Sequence, residues 1–179
     1  MPDYEKLKEL ALSCGFTNAG EMDPKTLVFM QEVRDMCAAD KCHAYNHSWA
    51  CPPACGTLDE MRAKVEGFSH GLIVQTVGDM EDSLDWEAIQ DTAKKQGENF
   101  MRLEAELEKE YPHLVAMGTG TCTRCTKCTY PDAPCRFPDK LFTSMEGCGL
   151  LVSKVCTDNN VPYNYGPNKI AYTACFLLD

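Results

Sequence analysis

Four cysteines stand close together late in the chain, in the order Cys122-x2-Cys125-x2-Cys128-x6-Cys135. Thiolates at the first three positions can hold three corners of one metal cluster, and the fourth follows a short loop that ends at Pro134. A packed C-x2-C-x2-C run is the spacing of ferredoxin-type iron-sulfur proteins. Zinc is the main alternative, although structural zinc sites usually have two separated cysteine pairs. The spacing therefore favours a four-iron cluster, with zinc left open.

The gap of six residues before Cys135 is wider than the gap of three in two-cluster ferredoxins, so Cys135 is expected to close the same cluster. Gly118 and Gly120 precede the motif and let the backbone curl closely around a bulky centre. Positive charges surround the motif in an otherwise acidic chain, and these could raise the reduction potential of an anionic cluster or guide a partner. They are Arg124, Lys127, Arg136 and Lys140, of which Lys127 and Lys140 are better explained as solvated loop charges.

A second group of cysteines occurs early, as Cys37-x4-Cys42-x8-Cys51-x3-Cys55, and its spacing matches no compact motif. Four cysteines in so short a stretch still predict a second metal site. Two alternatives remain open. His43 or His47 could replace one cysteine in a mixed zinc site, because imidazole suits zinc. Alternatively, one cysteine such as Cys55 is not a ligand, and an iron open to substrate would then make the protein an enzyme.

The other four cysteines are interpreted as small buried hydrophobic residues. Cys14 ends the first amphipathic helix, Cys175 lies in an apolar run, and Cys148 and Cys156 are placed on one face of a predicted helix. Cys148 is the least secure of them, because it follows the late group closely.

Length and composition narrow the possible functions. A chain of 179 residues that is 44% hydrophobic predicts one cysteine-rich domain over residues 1–179. The net charge of −10 argues against nucleic acid and anionic membranes as partners. The sequence shows neither a secretory signal nor a long apolar span, so we expect a cytoplasmic protein whose cysteines serve metal or redox chemistry. It also lacks the usual nucleotide-binding and hydrolase motifs.

The first half of the chain supplies two helices around the early cysteines and one strand. Asp23-Pro24 predicts a helix start, and helical spacing from Leu27 carries that helix to Cys37. Pro52 and Pro53 make the stretch around Cys51 a loop. A capping box at Thr57–Glu60 begins a short helix that runs to about residue 67, and residues 71–77 form the clearest strand.

The second half begins with a long amphipathic helix that runs from Trp86 to Pro112. Its apolar face is expected to pack on a sheet through Trp86, Ile89, Ala93, Gln96, Phe100, Leu103 and Leu107. Residues 113–118 form a second strand, parallel to the first. A capping box at Thr143 and Glu146 predicts a third helix. Residues 169–178 are predicted to form the last strand.

These elements predict an α/β or α+β fold, a small mixed sheet with flanking helices. The helix after Cys55 and the two parallel strands should bring both cysteine-rich loops to one rim of that sheet, where open α/β sheets usually hold ligands.

Several stretches resemble the predicted metal-binding proteins known as domain-of-unknown-function family 2284, which are common in anaerobic bacteria and archaea. The resemblance spans nearly the whole chain. It is carried by VRDMC with KCHAYNHSWACPPACG, CTRCTKCTYPDAPCRFP, SMEGCGLLVSKVC and YNYGPNKIAYTACFLLD. It implies metal or cluster binding at Cys37, Cys42, Cys51, Cys122, Cys125, Cys128 and Cys135, and it leaves the ligand roles of Cys55 and Cys148 open.

The leading hypothesis is an iron-sulfur protein with two four-iron clusters that exchanges electrons with a redox partner protein. A structural zinc-binding module is the first alternative. The second is an enzyme with an open-site cluster or a corrinoid-type cofactor. The sequence does not decide the oligomeric state.

Overall fold

A computed structural model describes all residues, 1–179, and shows a mixed α+β protein built on one five-stranded sheet. The strands are β1 (Asn18–Met22), β2 (His70–Asp79), β3 (Val115–Gly118), β4 (Thr143–Ser144) and β5 (Lys169–Leu178). The helices are α1 (Tyr4–Ser13), α2 (Gln31–Met36), α3 (Leu58–Val65), α4 (Trp86–Leu107) and α5 (Val152–Asp158). The predicted fold class is confirmed.

The sheet has the order β1-β2-β5-β3-β4. Strand β5 pairs antiparallel with β2 along its whole length, from His70 opposite Leu178 to Asp79 opposite Lys169. Strand β5 also pairs antiparallel with β3, and β3 pairs in parallel with the short β4. Strands β2 and β3 therefore run parallel, as predicted, with β5 between them.

Each face of the sheet carries its own hydrophobic core, because side chains alternate between faces along β2 and β5. Helices α1 and α4 cover one face, where Phe100 stacks on Phe176 of β5 with ring centroids 5.0 Å apart. The opposite core contains Met61 of α3, Val155 of α5 and four cysteines of the chain, Cys55, Cys148, Cys156 and Cys175. The cysteine-rich loops extend from the edge of this second core.

Helix α4 packs on the sheet through the second part of the predicted apolar face. Gln96, Phe100, Leu103 and Leu107 are buried, and a side chain at Gly78 of β2 would collide with Thr92 of this helix. Trp86 is 67% exposed and Ala93 is also exposed, so the face was predicted too far toward the N-terminus. None of the helices is both long and apolar enough to cross a membrane.

Two local predictions are wrong. Thr143 and Glu146 do not cap a helix, because Thr143 pairs with Met117 in the sheet. The next helix, α5, begins at Val152, so it contains Cys156 but not Cys148. Asp23-Pro24 starts only a 3₁₀ turn, since the chain then extends so that Phe29 bridges Leu150.

No sequence pattern predicts strand β1. The sequence NAGEM has no β-branched residue that would indicate a strand, and it is extended because it pairs with β2 over its whole length.

Candidate metal centres

The late cysteine group follows β3 directly. The backbone turns at Gly120, whose φ of +67° favours glycine, and Cys122, Cys125, Cys128 and Cys135 then line one small cavity. No carboxylate and no imidazole lines this cavity, so the thiols are its only side chains that can become anionic. Thiolates select soft or borderline metals such as zinc and iron in iron-sulfur clusters. The donor set therefore fits the predicted kind of centre.

Two cysteines of the late group have opposite surroundings. Burial raises the pKa of the Cys122 thiol, although the backbone N–H groups of Arg124 and Phe142 act to lower it. At Cys128 burial also acts to raise the pKa, but N–H groups of Tyr130, Trp49 and Thr129 together with the Ser48 hydroxyl outweigh it, and the pKa is lowered. The surroundings of Cys128 therefore favour its thiolate form more than those of Cys122 do.

Two guanidinium groups form part of the cavity wall. Arg124 pairs with the buried Glu104 of α4 and lies over the Phe142 ring, with its central carbon 5.8 Å from the ring centroid. Arg136 lines the same cavity and donates to the Lys127 carbonyl at 2.8 Å. Both arginines therefore lie beside the thiols, and Glu104 offsets the charge of Arg124.

The early cysteines lie on and after α2. Cys37 caps the C-terminus of that helix, as predicted, and is half-buried, while Cys42 is exposed, Cys51 is half-buried and Cys55 is buried. Burial raises the pKa of Cys37, and nearby Cys42, Glu146, Cys51 and Cys55 raise it further by their negative charge. The four sulfurs are thus close enough to influence one another.

Cys55 immediately precedes α3, whose predicted capping box is present at Thr57 and Glu60. Burial raises the pKa of Cys55, and the Arg34 guanidinium opposes that effect from 3.0 Å away. The Cys55 thiol also faces the Gly147 carbonyl, at 3.9 Å, in the turn after β4. The start of α3 is therefore placed beside β4.

The two cysteine groups are packed against each other. The Cys51 thiol donates to the Thr121 hydroxyl at 3.3 Å, one residue before the late motif. Trp49 donates from its indole N–H to the Ala133 carbonyl at 3.0 Å and makes an edge contact with Tyr130, ring centroids 4.9 Å apart. The early loop thereby forms one wall of the late cavity.

Ser48 of this loop lines the late cavity, and the Tyr130 hydroxyl bonds to the Asn46 side chain at 2.7 Å. Spacing alone did not single out these contacts. The aromatic pair Trp49 and Tyr130 lies beside two cysteines in sequence, and that proximity is the one signal that could have suggested them.

The histidines of the early loop and the other four cysteines are not brought together in a site. His43 and His47 are exposed on the early loop, and no three His, Cys, Asp or Glu side chains converge closely enough to hold a single metal ion. Cys14, Cys156 and Cys175 are buried in the hydrophobic cores. Cys148 is also buried, its pKa is raised to about 12 by burial, and it lies within electrostatic range of Cys55.

Fold and donor set together define a cysteine-rich α+β protein with the thiol donors of a metal-binding protein. The chain belongs to the family described as predicted metal-binding protein (DUF2284), whose profile matches residues 20–178. No curated protein and no solved structure matches the chain.

Proposed function

We propose that the protein binds two four-iron iron-sulfur clusters and transfers electrons to or from a redox partner protein. Cys122, Cys125, Cys128 and Cys135 are the proposed ligands of the late cluster. The proposed ligands of the early cluster are Cys37, Cys42, Cys51 and Cys55.

One observation carries this proposal: four cysteines with ferredoxin-type spacing line one cavity that has no other anionic donor. Backbone N–H groups directed at Cys128 and the guanidinium groups of Arg124 and Arg136 suit a negatively charged centre. The spacing, more than the charge, favours iron-sulfur over zinc, since a zinc ion with four thiolates is also anionic.

The contact between the two loops supports electron transfer. Cys51 bonds to the residue before Cys122, so clusters on both loops would be neighbours. All twelve cysteines are free thiols, which suits a reducing compartment such as the cytoplasm. Arg136, which is exposed beside the late motif, would present positive charge to an acidic partner.

The test is metal and sulfide analysis of protein purified without oxygen, followed by EPR before and after dithionite. We expect about eight irons with matching sulfide in each chain, four for each cluster, and a visible absorption that dithionite bleaches. Stoichiometric zinc without sulfide would overturn the proposal in favour of a structural zinc module.

A further inference from the structure

Arg34 of α2 is a buried arginine that forms no ion pair with a carboxylate. It is 7% exposed, and it takes part in none of the eight ion pairs of the protein. By contrast, Arg62 pairs with Asp59 and Arg124 pairs with Glu104. A guanidinium removed from water without a counter-charge is strongly disfavoured. The surroundings of Arg34 therefore call for an anion.

The Arg34 guanidinium faces Cys55. Its Nη2 donates to the Cys55 sulfur at 3.0 Å and to the Gly56 carbonyl, while Nη1 is buried and has no acceptor. A neutral thiol is a weak acceptor, whereas an anionic thiolate takes charge-assisted hydrogen bonds. Nη2 is thus placed to stabilise a negatively charged sulfur at Cys55, whereas a neutral thiol there donates to the Gly147 carbonyl, 3.9 Å away.

The Glu60 carboxylate lies within electrostatic range of Arg34 but forms no ion pair with it. A side chain at Gly56, whose φ is +104°, would meet the Glu60 carboxylate at 2.7 Å, so Glu60 lies just beyond this residue. That carboxylate accepts the Thr57 backbone N–H in the capping box of α3, at 2.5 Å. The cap therefore fixes Glu60 at a position where its charge acts on Arg34 without a direct hydrogen bond between the two side chains.

We propose that Arg34 is the counter-charge of the early metal centre and holds Cys55 there as a thiolate ligand. This inference rests on the proposed function, and it decides for Cys55 as a ligand against a three-cysteine early site. A cation beside an anionic cluster stabilises the reduced, more negative state. Arg34 consequently raises the reduction potential of the early centre above that of the same centre without it.

The experiment compares Arg34→Gln, Arg34→Lys and Cys55→Ala with the control Arg62→Gln, which removes an exposed arginine from the neighbouring helix. Iron, sulfide and EPR-monitored redox titrations are measured on the full chain after anaerobic reconstitution. Arg34→Gln should shift the early potential to more negative values or lose about half of the iron, with the late signal unchanged. Arg34→Lys keeps the charge, so its iron content and early potential should remain closer to those of the wild type. The control Arg62→Gln should have the same iron content and potentials as the wild type.

A folded Arg34→Gln variant with full iron and both potentials unchanged would overturn the inference. If that variant does not fold, Cys55→Ala decides, because loss of about half of the iron supports a ligand role and full iron with an unchanged spectrum contradicts it. Zinc without sulfide in the wild type would end the electron-transfer proposal instead. The zinc contents of the same variants would then show whether Arg34 and Cys55 still belong to a metal site. Failure of the proposed function can therefore be told apart from failure of the inference about Arg34.

Discussion

At the scale of single residues, the hydrogen bonds around each thiol matter as much as the thiols themselves. Cys122 and Cys128 belong to one motif and are both partly buried, yet burial dominates at the first and N–H and O–H donors dominate at the second. Two of the four residues that donate hydrogen bonds to Cys128 come from the early loop, namely Trp49 and Ser48. A motif read from spacing alone does not include them.

This difference predicts the order in which the thiols react. In metal-free protein near neutral pH, Cys128 should be alkylated by iodoacetamide faster than Cys122, because a lowered pKa leaves more reactive thiolate and a raised pKa leaves less. Cys148, whose pKa is about 12, and the buried Cys175 should be the last two of these thiols to be alkylated. Peptide mass spectrometry over a time course measures this order, and equal rates at Cys122 and Cys128 would contradict it.

Loss of one late ligand should affect only one centre. Cys125→Ala should lose about half of the iron and sulfide, because a four-iron cluster needs its thiolate ligands while the early cysteines are untouched. Cys14→Ala is the matched control, since Cys14 is buried at the end of α1 and belongs to neither cysteine group. Full iron content in Cys125→Ala would exclude Cys125 as a ligand.

At the scale of elements, α3 connects the early cysteines to the sheet. Its capping box fixes the chain just after Cys55, and Met61 anchors the helix in the core. The short helix therefore depends on its cap and its packing more than on its length.

Thr57→Ala removes that cap and should lower the free energy of unfolding by about 1 kcal/mol, because the Glu60 backbone N–H loses its acceptor. Urea denaturation measures the change. Thr123→Ala, an exposed threonine of the late loop, is the control and should leave the midpoint unchanged. A Thr57→Ala midpoint equal to that of the control would mean that the cap does not stabilise the fold.

The predicted elements are those whose local signals agree with their long-range contacts. The α3 capping box and the apolar runs of β2 and β5 are confirmed because the same residues also fill the core. Thr143 shows the opposite case, since pairing with Met117 overrides a local capping pattern. For the site, the four late cysteines that share one motif line one cavity, but Arg34, Ser48 and Trp49 make contacts across long sequence separations that no local pattern encodes.

At the scale of the whole molecule, the sheet and the cysteine-rich loops are built differently. Strands β2 and β5 pair over ten residues each and are covered on both faces. The loops over residues 40–57 and 119–137 contain neither an α-helix nor a strand and are held by isolated contacts such as Trp49 to Ala133. A bound centre would therefore stabilise the loops more than the sheet.

Hydrogen exchange tests this division of stability. Metal-free protein should keep slow amide exchange in β2 and β5 and show fast exchange over residues 40–57 and 119–137, because few regular backbone hydrogen bonds protect those loops. Reconstitution with iron and sulfide should slow exchange in both loops together, since Trp49 and Cys51 tie them to each other. Mass spectrometry of peptides measures both states, with α1 as the internal control that should not change. Slowing in one loop alone would show that the two centres assemble independently.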